Sequence, residues 1–419
     1  MSDDRPAYVA VIDAFSSGAL LAPSFKRLGI GVLHVQTSRS IDESLQRSFV
    51  STDFEQCIDY QDLGLSRTVD VLSRFPLLAV LPGCDSGVIL ADELGECLGI
   101  GRNAAADVRC RRSKFLMHEA LRSKGLLAAR QIKSDSLEDI LSWYARLPLE
   151  KVVMKPEFAA RSEGVSFCEN EADLIQSFKQ TVGTTNLFGI NNAEMVVQEY
   201  LPGPEYMVNT MSVNGRHFIT DVWLGIDEQE EPISTDLYAE LLRSGSGLDV
   251  SLIDYVLEVL DAVGMNTGPA HVEVRRTPNG PALIELGARL AGAMSPRSFE
   301  LAIGLDPVQL TVDAYLRPDQ AIRALESDRP TRYARLAYFH SDRGGTVSHS
   351  PDLSRMYALE SVREVLLTVR KGDYMPKTSA TNTRPGYAYL VHHDTTRLAA
   401  DYERFRVAEQ RLYESMLGS

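Results

Sequence analysis

The chain has 419 residues, 44% hydrophobic and 24% charged, with a formal net charge of −14; that suits a globular protein of two or three domains. No apolar run of roughly 18 or more residues spans a membrane, and the acidic balance argues against a nucleic-acid backbone as main partner. Five scattered cysteines (Cys57, Cys84, Cys97, Cys110, Cys168) without a CxxC pair argue against a disulfide framework or structural zinc, and fit a reducing cytoplasm. The first element is an apolar strand over residues 8–12, entered too soon and with too acidic a start for a signal peptide. A turn through Phe15, Ser16, Ser17 and Gly18 leads into a helical stretch ending near Gly29, and residues 30–35 form a second strand. A third strand, 77–81, is closed by Pro82 and Gly83; Asp85 or Ser86 then caps a helix over 87–98. Apolar strands alternating with helices predict a parallel sheet covered on both faces. The glycines do not form G-x-G-x-x-G; Ser16–Gly18 reads as a connecting turn before it reads as an anion site.

Residues 111–126 carry a helical pattern stopped by Gly125. Strand-like segments follow at 151–156, 164–167, 195–200, 205–212 and 218–223, with amphipathic helices over 171–180 and 251–263. These predict an α+β body on antiparallel sheets. After a helix near 306–324, the polar stretch 326–330 opens a C-terminal unit with a strand at 335–339 and a last helix over 396–417.

The most informative segment is residues 268–295. It reads as two strands around Pro278, Asn279 and Gly280, with Glu273 and Glu285 symmetric about Asn279 and therefore directly opposed. Opposed like charges, with Cβ atoms about 4.5–5.5 Å apart, are destabilising. A cation would neutralise them, and oxygen-only ligation points to Mg²⁺ or Mn²⁺. Taken alone, an exposed hairpin whose acids face water is an equal reading. Alternation puts His271, Glu273 and Arg275 on one face, and Glu285, Gly287 and Arg289 on the same side of the return strand. Val272, Val274, Ile284 and Leu286 then point the other way, giving one apolar and one chemical face.

Upstream, Lys155 ends a strand beside the loop Ala159, Ala160, Arg161, Ser162, Glu163, Gly164, an arrangement suited to phosphate. Taken alone, that segment reads first as a lysine snorkelling at a sheet edge. Gln198, Glu199, Tyr200, Leu201, Pro202, Gly203, Pro204 and Glu205 form a strand, a break and an acid. Such a hinge exposes backbone groups to an adenine edge and offers Glu205 to ribose hydroxyls.

In this order and spacing the residues resemble an ATP-grasp enzyme, most closely the L-amino-acid ligases and related carboxylate–amine ligases; Arg289, Leu290, Ala291, Gly292 and Ala293 carry the likeness to that branch. The resemblance implies an N-terminal Rossmann-like parallel-sheet domain (1–110), a central small α+β nucleotide-lid domain (111–202) and a C-terminal ATP-grasp domain (203–419) with a β/α extension from about 330. It implies that Lys114 and Lys155 hold the nucleotide and that Ser162, Glu163 and Gly164 cover the phosphates. Gln198, Glu199 and Leu201 would receive adenine, Glu205 ribose, and Glu273 and Glu285 two Mg²⁺ or Mn²⁺ ions. Many members carry an asparagine where this chain has Gly287, so that ligand is expected from water, phosphate or substrate. Arg289 would steady an acyl phosphate, or else pair with Glu285; His271 would touch phosphate or amine, or else be a satisfied strand histidine.

The implied reaction is ATP-dependent amide formation between amino acids or similar small carboxylates and amines, through an acyl phosphate, with ADP and phosphate released. The acyl pocket is expected along Ala291–Ser295 and the second pocket around residues 228–243, with Trp223, Tyr238 and Tyr206 as candidates or as core packing. A homodimer is expected from superfamily habit, while the cysteines, hydropathy and charge read above imply a cytoplasmic protein without membrane or nucleic-acid partner. The rivals are another ATP-grasp ligase or carboxylase, using bicarbonate or a phosphoribosyl substrate, and a non-catalytic ATP-binding subunit. No basic cluster for a phosphoribosyl group and no biotinyl segment supports the former, and the acids and Arg289 speak against the latter.

Overall fold

A computed structural model describes residues 6–226, 237–243 and 249–417. The first sheet is parallel, with strands ordered Gln56–Asp59, Gly31–Gln36, Tyr8–Ile12, Leu77–Pro82. The central strands are buried on both faces, which is why they read as unbroken apolar runs. Gln56–Asp59 and the helical segment Tyr60–Leu72 lie outside the sequence reading: the strand is an edge of four residues, half exposed, with no alternation to detect. The loop from Ser16 to Leu20 is a short 3₁₀ turn. Gly18 is there for close approach, since a Cβ would lie 2.3 Å from the Gly83 carbonyl oxygen.

The second sheet is antiparallel, ordered Gln131–Ser134, Met195–Glu199, Val152–Pro156, Ser166–Cys168. Helices Leu137–Ala145 and Glu171–Thr181 cover it around Ile140, Val152, Met154, Leu174 and Val197. Gln131–Ser134 and the helix after it were also missed by pattern reading; four half-buried residues carry little period.

The largest sheet has eight antiparallel strands: Gly280–Gly287, Gly268–Thr277, Glu205–Val213, Arg216–Ile226, Tyr238–Leu242, Tyr333–Tyr338, Gly386–His392 and Val362–Leu367. Its last three come from the C-terminal extension, joined where Tyr238–Leu242 pairs with Tyr333–Tyr338. Helices Lys114–Ser123 and Val250–Ala262 bury one face against Val208, Val272, Val274, Leu283 and Leu286. That leaves the Glu273–Glu285 face open. The helix expected over 306–324 is two, Pro307–Leu316 and Pro318–Glu326, because Pro318 cannot donate to the preceding turn and restarts a helix as its first residue. These helices pack the large sheet onto the parallel one through a common core containing Leu310, Val312, Phe25 and Leu81.

Candidate active site

Glu273 and Glu285 are register partners. The opposition arises differently from the symmetric hairpin expected. Thr277 pairs with Gly280 and Val274 with Leu283, so the loop is the two residues Pro278 and Asn279. An extra residue, Ile284, then bulges from the return strand and brings Glu285 opposite Glu273. As a result Leu283, not Ile284, joins Leu286 in the helix-covered core. The Ile284 carbonyl turns to the site, 3.4 Å from both Lys155 Nζ and His118 Nε2. His118 is fully buried, and the Ala129 N–H donates to its Nδ1 at 3.3 Å. Nδ1 is therefore the acceptor and Nε2–H the donor that holds the bulge. Burial keeps this ring neutral, lowering its pKa to about 3.

Lys114 follows the N-cap Ser113, whose hydroxyl accepts from Leu116 N at 3.1 Å. The buried amine lies 3.0 Å from Glu285 Oε2 and donates to the Ala159 carbonyl at 2.7 Å. Lys155 is buried at the end of Val152–Pro156. Desolvation pulls its pKa down to about 8 despite the attraction of Glu285, Glu273 and Glu205; Lys114 adds repulsion. Burial pushes the Glu285 carboxyl up, but the two lysines outweigh it and hold it below the usual range. A cluster of two lysines and opposed carboxylates is built to take polyphosphate with divalent cations. Among the described residues no group of three or more His, Cys, Asp or Glu gathers for a metal. Glu273 and Glu285 could hold a divalent cation whose other positions phosphate oxygens and water would fill, a donor set suited to Mg²⁺.

Arg289 does not pair with Glu285, the alternative its spacing suggested. Its Nε and Nη2 lie 2.9 and 2.8 Å from Asp85 Oδ2, and Nη1 donates to the Leu290 carbonyl at 2.9 Å. Asp85, expected as a helix cap, instead opens a short 3₁₀ turn, and Gly87 stands at the start of the helix Val88–Cys97. Burial raises the Asp85 carboxyl, but Arg289 and then Arg112 reverse this and bring it to about 2. Sequence reasoning missed Asp85 as a site residue, because it stands 204 positions from Arg289 and only the fold joins them. The same pair explains Gly287: a Cβ there would lie 3.1 Å from Arg289 Cζ and 3.2 Å from Asp85 Oδ1. The space an asparagine would need is used by the ion pair. Arg112, also missed, is buried between the Phe158 and Phe188 rings, 5.3 and 5.4 Å from their centroids, and donates to the Phe158 carbonyl. Asp85, Arg112, Lys114, Ala159, Ala160, Glu285 and Gly287 line one cavity.

His271 lies on the same open face, Nδ1 2.8 Å from Asn209 Oδ1 and Nε2 3.5 Å from Glu273. At the hinge, Gln198 is buried and donates to Gln131 Oε1 at 2.9 Å. The Glu199 carboxylate is held by Arg130, 2.6 Å from its Nε and 2.9 Å from its backbone N–H. Glu205 pairs with Arg275 at 3.0 Å, and Arg275 also reaches the Tyr200 hydroxyl at 2.9 Å and the Leu201 carbonyl at 3.4 Å. Arg275 thus ties the hinge to the hairpin. In the loop expected to cover the phosphates, Ser162 donates to Thr381 Oγ1 of the extension at 3.2 Å, and Gly164 adopts φ 68°.

Residues 149–297 match the ATP-grasp domain family. The chain carries an ATP-grasp domain. Dapdiamide A synthase of Enterobacter agglomerans is 28% identical over 411 residues, covering 97% of this chain and 96% of that protein. The L-arginine-specific L-amino acid ligase of Bacillus subtilis is 19% identical over 334 residues, 77% of this chain and 78% of that one. The crystal structure of L-amino acid ligase from Bacillus licheniformis has a TM-score of 0.76 at 18% identity, covering 96% and 98% of the two chains, and shows the same fold. The ATP-grasp fold accounts for the layout: an N-terminal parallel sheet, a small antiparallel lid sheet and the large sheet bearing the acids. Within the ATP-grasp match lie Lys155, the hinge, both glutamates and Arg289; Lys114 and Asp85 fall outside it.

Around the acids, Ala291 and Met294 line a cavity with Asn209, Asp221 and Phe299. Trp223 is buried against Phe299 and Tyr389, and Tyr238 packs with its ring tilted against Tyr402 of the last helix, so both serve packing. Tyr206 packs partly buried against the helix-covered core. Most of the second pocket expected around 228–243 lies outside the described residues. Among the described residues no helix is long and apolar enough to cross a membrane.

Proposed function

We propose that this chain is an ATP-dependent carboxylate–amine ligase that joins amino acids or amino-acid-like substrates through an acyl phosphate. The observation that carries the reading is the opposed Glu273–Glu285 pair flanked by Lys114, Lys155 and Arg289, in a chain related along nearly its whole length to dapdiamide A synthase. A substrate carboxylate oxygen attacks the γ-phosphorus of ATP, the bond to ADP breaks, and an acyl phosphate forms. The amine then attacks the acyl carbon, loses a proton, and phosphate leaves. Phosphoryl transfer is mainly positioning and charge neutralisation. Lys155 and Lys114 bind the phosphates, and the loop carrying Ser162 and Gly164 closes over them. Gln198, Glu199 and Leu201 line the adenine edge, and Glu205 faces the ribose. Glu273 and Glu285 would hold two Mg²⁺ or Mn²⁺ ions, which supply neutralisation of the β- and γ-oxygens. Arg289, aimed by Asp85, offers a planar fork to the acyl phosphate, and His271 stands beside the amine's approach. Ala291 and Met294 border the acyl side chain. The domain spans 1–110, 111–202 and 203–419 suit this division of labour, and a homodimer is the assembly we expect.

Phosphate release should be measured with paired amino acids, ATP and Mg²⁺. Release that requires both substrates is expected, and Glu273→Ala, Glu285→Ala and Arg289→Lys should each reduce it by at least about a hundredfold with far-UV circular dichroism unchanged. Near-wild-type ADP formation by the Arg289 variant would sink its role. Release with bicarbonate or a nucleotide precursor, and with no amino acid, would overturn the ligase reading.

A further inference from the structure

Arg161 is placed where an arginine is conformationally disfavoured. The Ala160 carbonyl accepts from Glu163 N at 3.1 Å, and the two residues between them, Arg161 and Ser162, have φ of 56° and 57°. Positive φ at both central positions marks a type I′ turn, which glycine and asparagine occupy because other side chains crowd their own backbone. The other members of the turn are tied: Ser162 to Thr381, and Glu163 by accepting from Leu187 N at 3.0 Å. Arg161 has no hydrogen bond or ion pair among the described residues.

Its surroundings border the site. Ala159 and Ala160, just before it, line the cavity that contains Asp85, Arg112 and Gly287 together with Lys114 and Glu285. Arg161 is exposed to solvent, yet the protein atoms around it lower the guanidinium pKa and repulsion from Arg289 adds to this; the groups that attract it are Cys84, Asp42 and Tyr387, from the N-terminal sheet region and the extension. Arg289 is already engaged by Asp85, whereas Arg161 makes no hydrogen bond or ion pair among the described residues. Two mutually repelling guanidiniums with one unpaired leave a place for an anion beyond the acyl phosphate. An amino acid entering as the amine brings such an anion, its own carboxylate.

We propose that Arg161 determines specificity by binding the free carboxylate of the amine substrate, so that the acceptor is an amino acid rather than a simple amine. This rests on the ligase reading above. Glycine suits the turn without strain, so Arg161→Gly removes the guanidinium while favouring the loop. Steady-state ligation should be compared for wild type, Arg161→Gly and Arg161→Lys, using an accepted amino acid and its C-terminal amide as amines. The expected result is a KM for the free acid raised about ten- to hundredfold in Arg161→Gly. KM for ATP, activity with the amide and the thermal midpoint should be unchanged or better, and Arg161→Lys should recover part of the loss. Unimpaired use of the free acid by Arg161→Gly, an equal loss for acid and amide, or a rise confined to KM for ATP would each overturn the proposal alone. A wild type that ligates no amino acid would overturn the ligase reading with it.

Discussion

Lys155 shows how one side chain reports on the site before any ligand arrives. Its amine is buried and its pKa lowered to about 8 by desolvation, so the empty site begins to lose this charge just above neutrality. Polyphosphate would favour the charged form and raise that value again. Nucleotide affinity should therefore be greatest below pH 8 and fall as pH rises through it, by up to about tenfold per unit until the bound-state value is reached. Calorimetric titration with a non-hydrolysable ATP analogue, in buffers of different ionisation heat, should show proton uptake near pH 8 to 9. Proton release there, or affinity flat to pH 9.5, would exclude Lys155 as the phosphate group's partner. The role of Arg289 was only half legible in the sequence, at the same scale. The sequence offers Glu285 as a neighbour four positions away, yet Lys114 takes Glu285 and Asp85 takes Arg289. Ion pairs between distant segments leave no periodic trace, and Gly287 made sense only once that pair was seen beside it.

At the scale of elements, strands and helices with a full period were readable, and short or interrupted ones were not. The pleat of Gly268–Thr277 is regular, and alternation predicted its two faces. The return strand broke the rule at Ile284, because nothing in an apolar run of Ala282, Leu283 and Ile284 says which residue is extruded. The extruded carbonyl is met by His118 Nε2–H, on the helix beneath, and by Lys155 Nζ. Replacing His118 with Leu should strip this partner and leave Ala129 N–H unpaired as well, costing about 2–4 kcal/mol in denaturant unfolding at pH 7.5. The pH dependence gives a second reading. The folded pKa, about 3, lies below the unfolded value of 6.5, so the unfolded state alone binds a proton as pH falls. This histidine therefore destabilises progressively below pH 6.5, by about 1.4 kcal/mol per unit, until pH approaches 3. His118→Leu should lose that component between pH 6.5 and 5. An unchanged slope would mean that burial does not hold the ring neutral.

Across the whole molecule, the three larger sheets surround the site, and Phe188 is one of the residues that join the central antiparallel unit to the N-terminal sheet region. Phe188 is buried among Phe15, Ile41, Leu45 and Cys84, and Arg112 lies over its ring. The backbone follows it: Asp42 N donates to the Leu187 carbonyl at 2.8 Å, while Leu187 N donates to Glu163 in the phosphate loop. Docking of Phe188 and placement of Ser162 and Gly164 are thus one mechanical event. Phe188→Ala removes much of the apolar area at this contact but leaves each domain's own core intact, because Phe188 belongs to none of the larger clusters. The variant should keep a near-normal unfolding midpoint while amide exchange in residues 158–165 and 184–192 rises about tenfold or more. KM for ATP should rise alongside, since closure must then draw on nucleotide binding. Faster exchange without a change in KM would show that the lid closes on nucleotide regardless of this contact. Faster exchange throughout the chain would instead make Phe188 a general core residue.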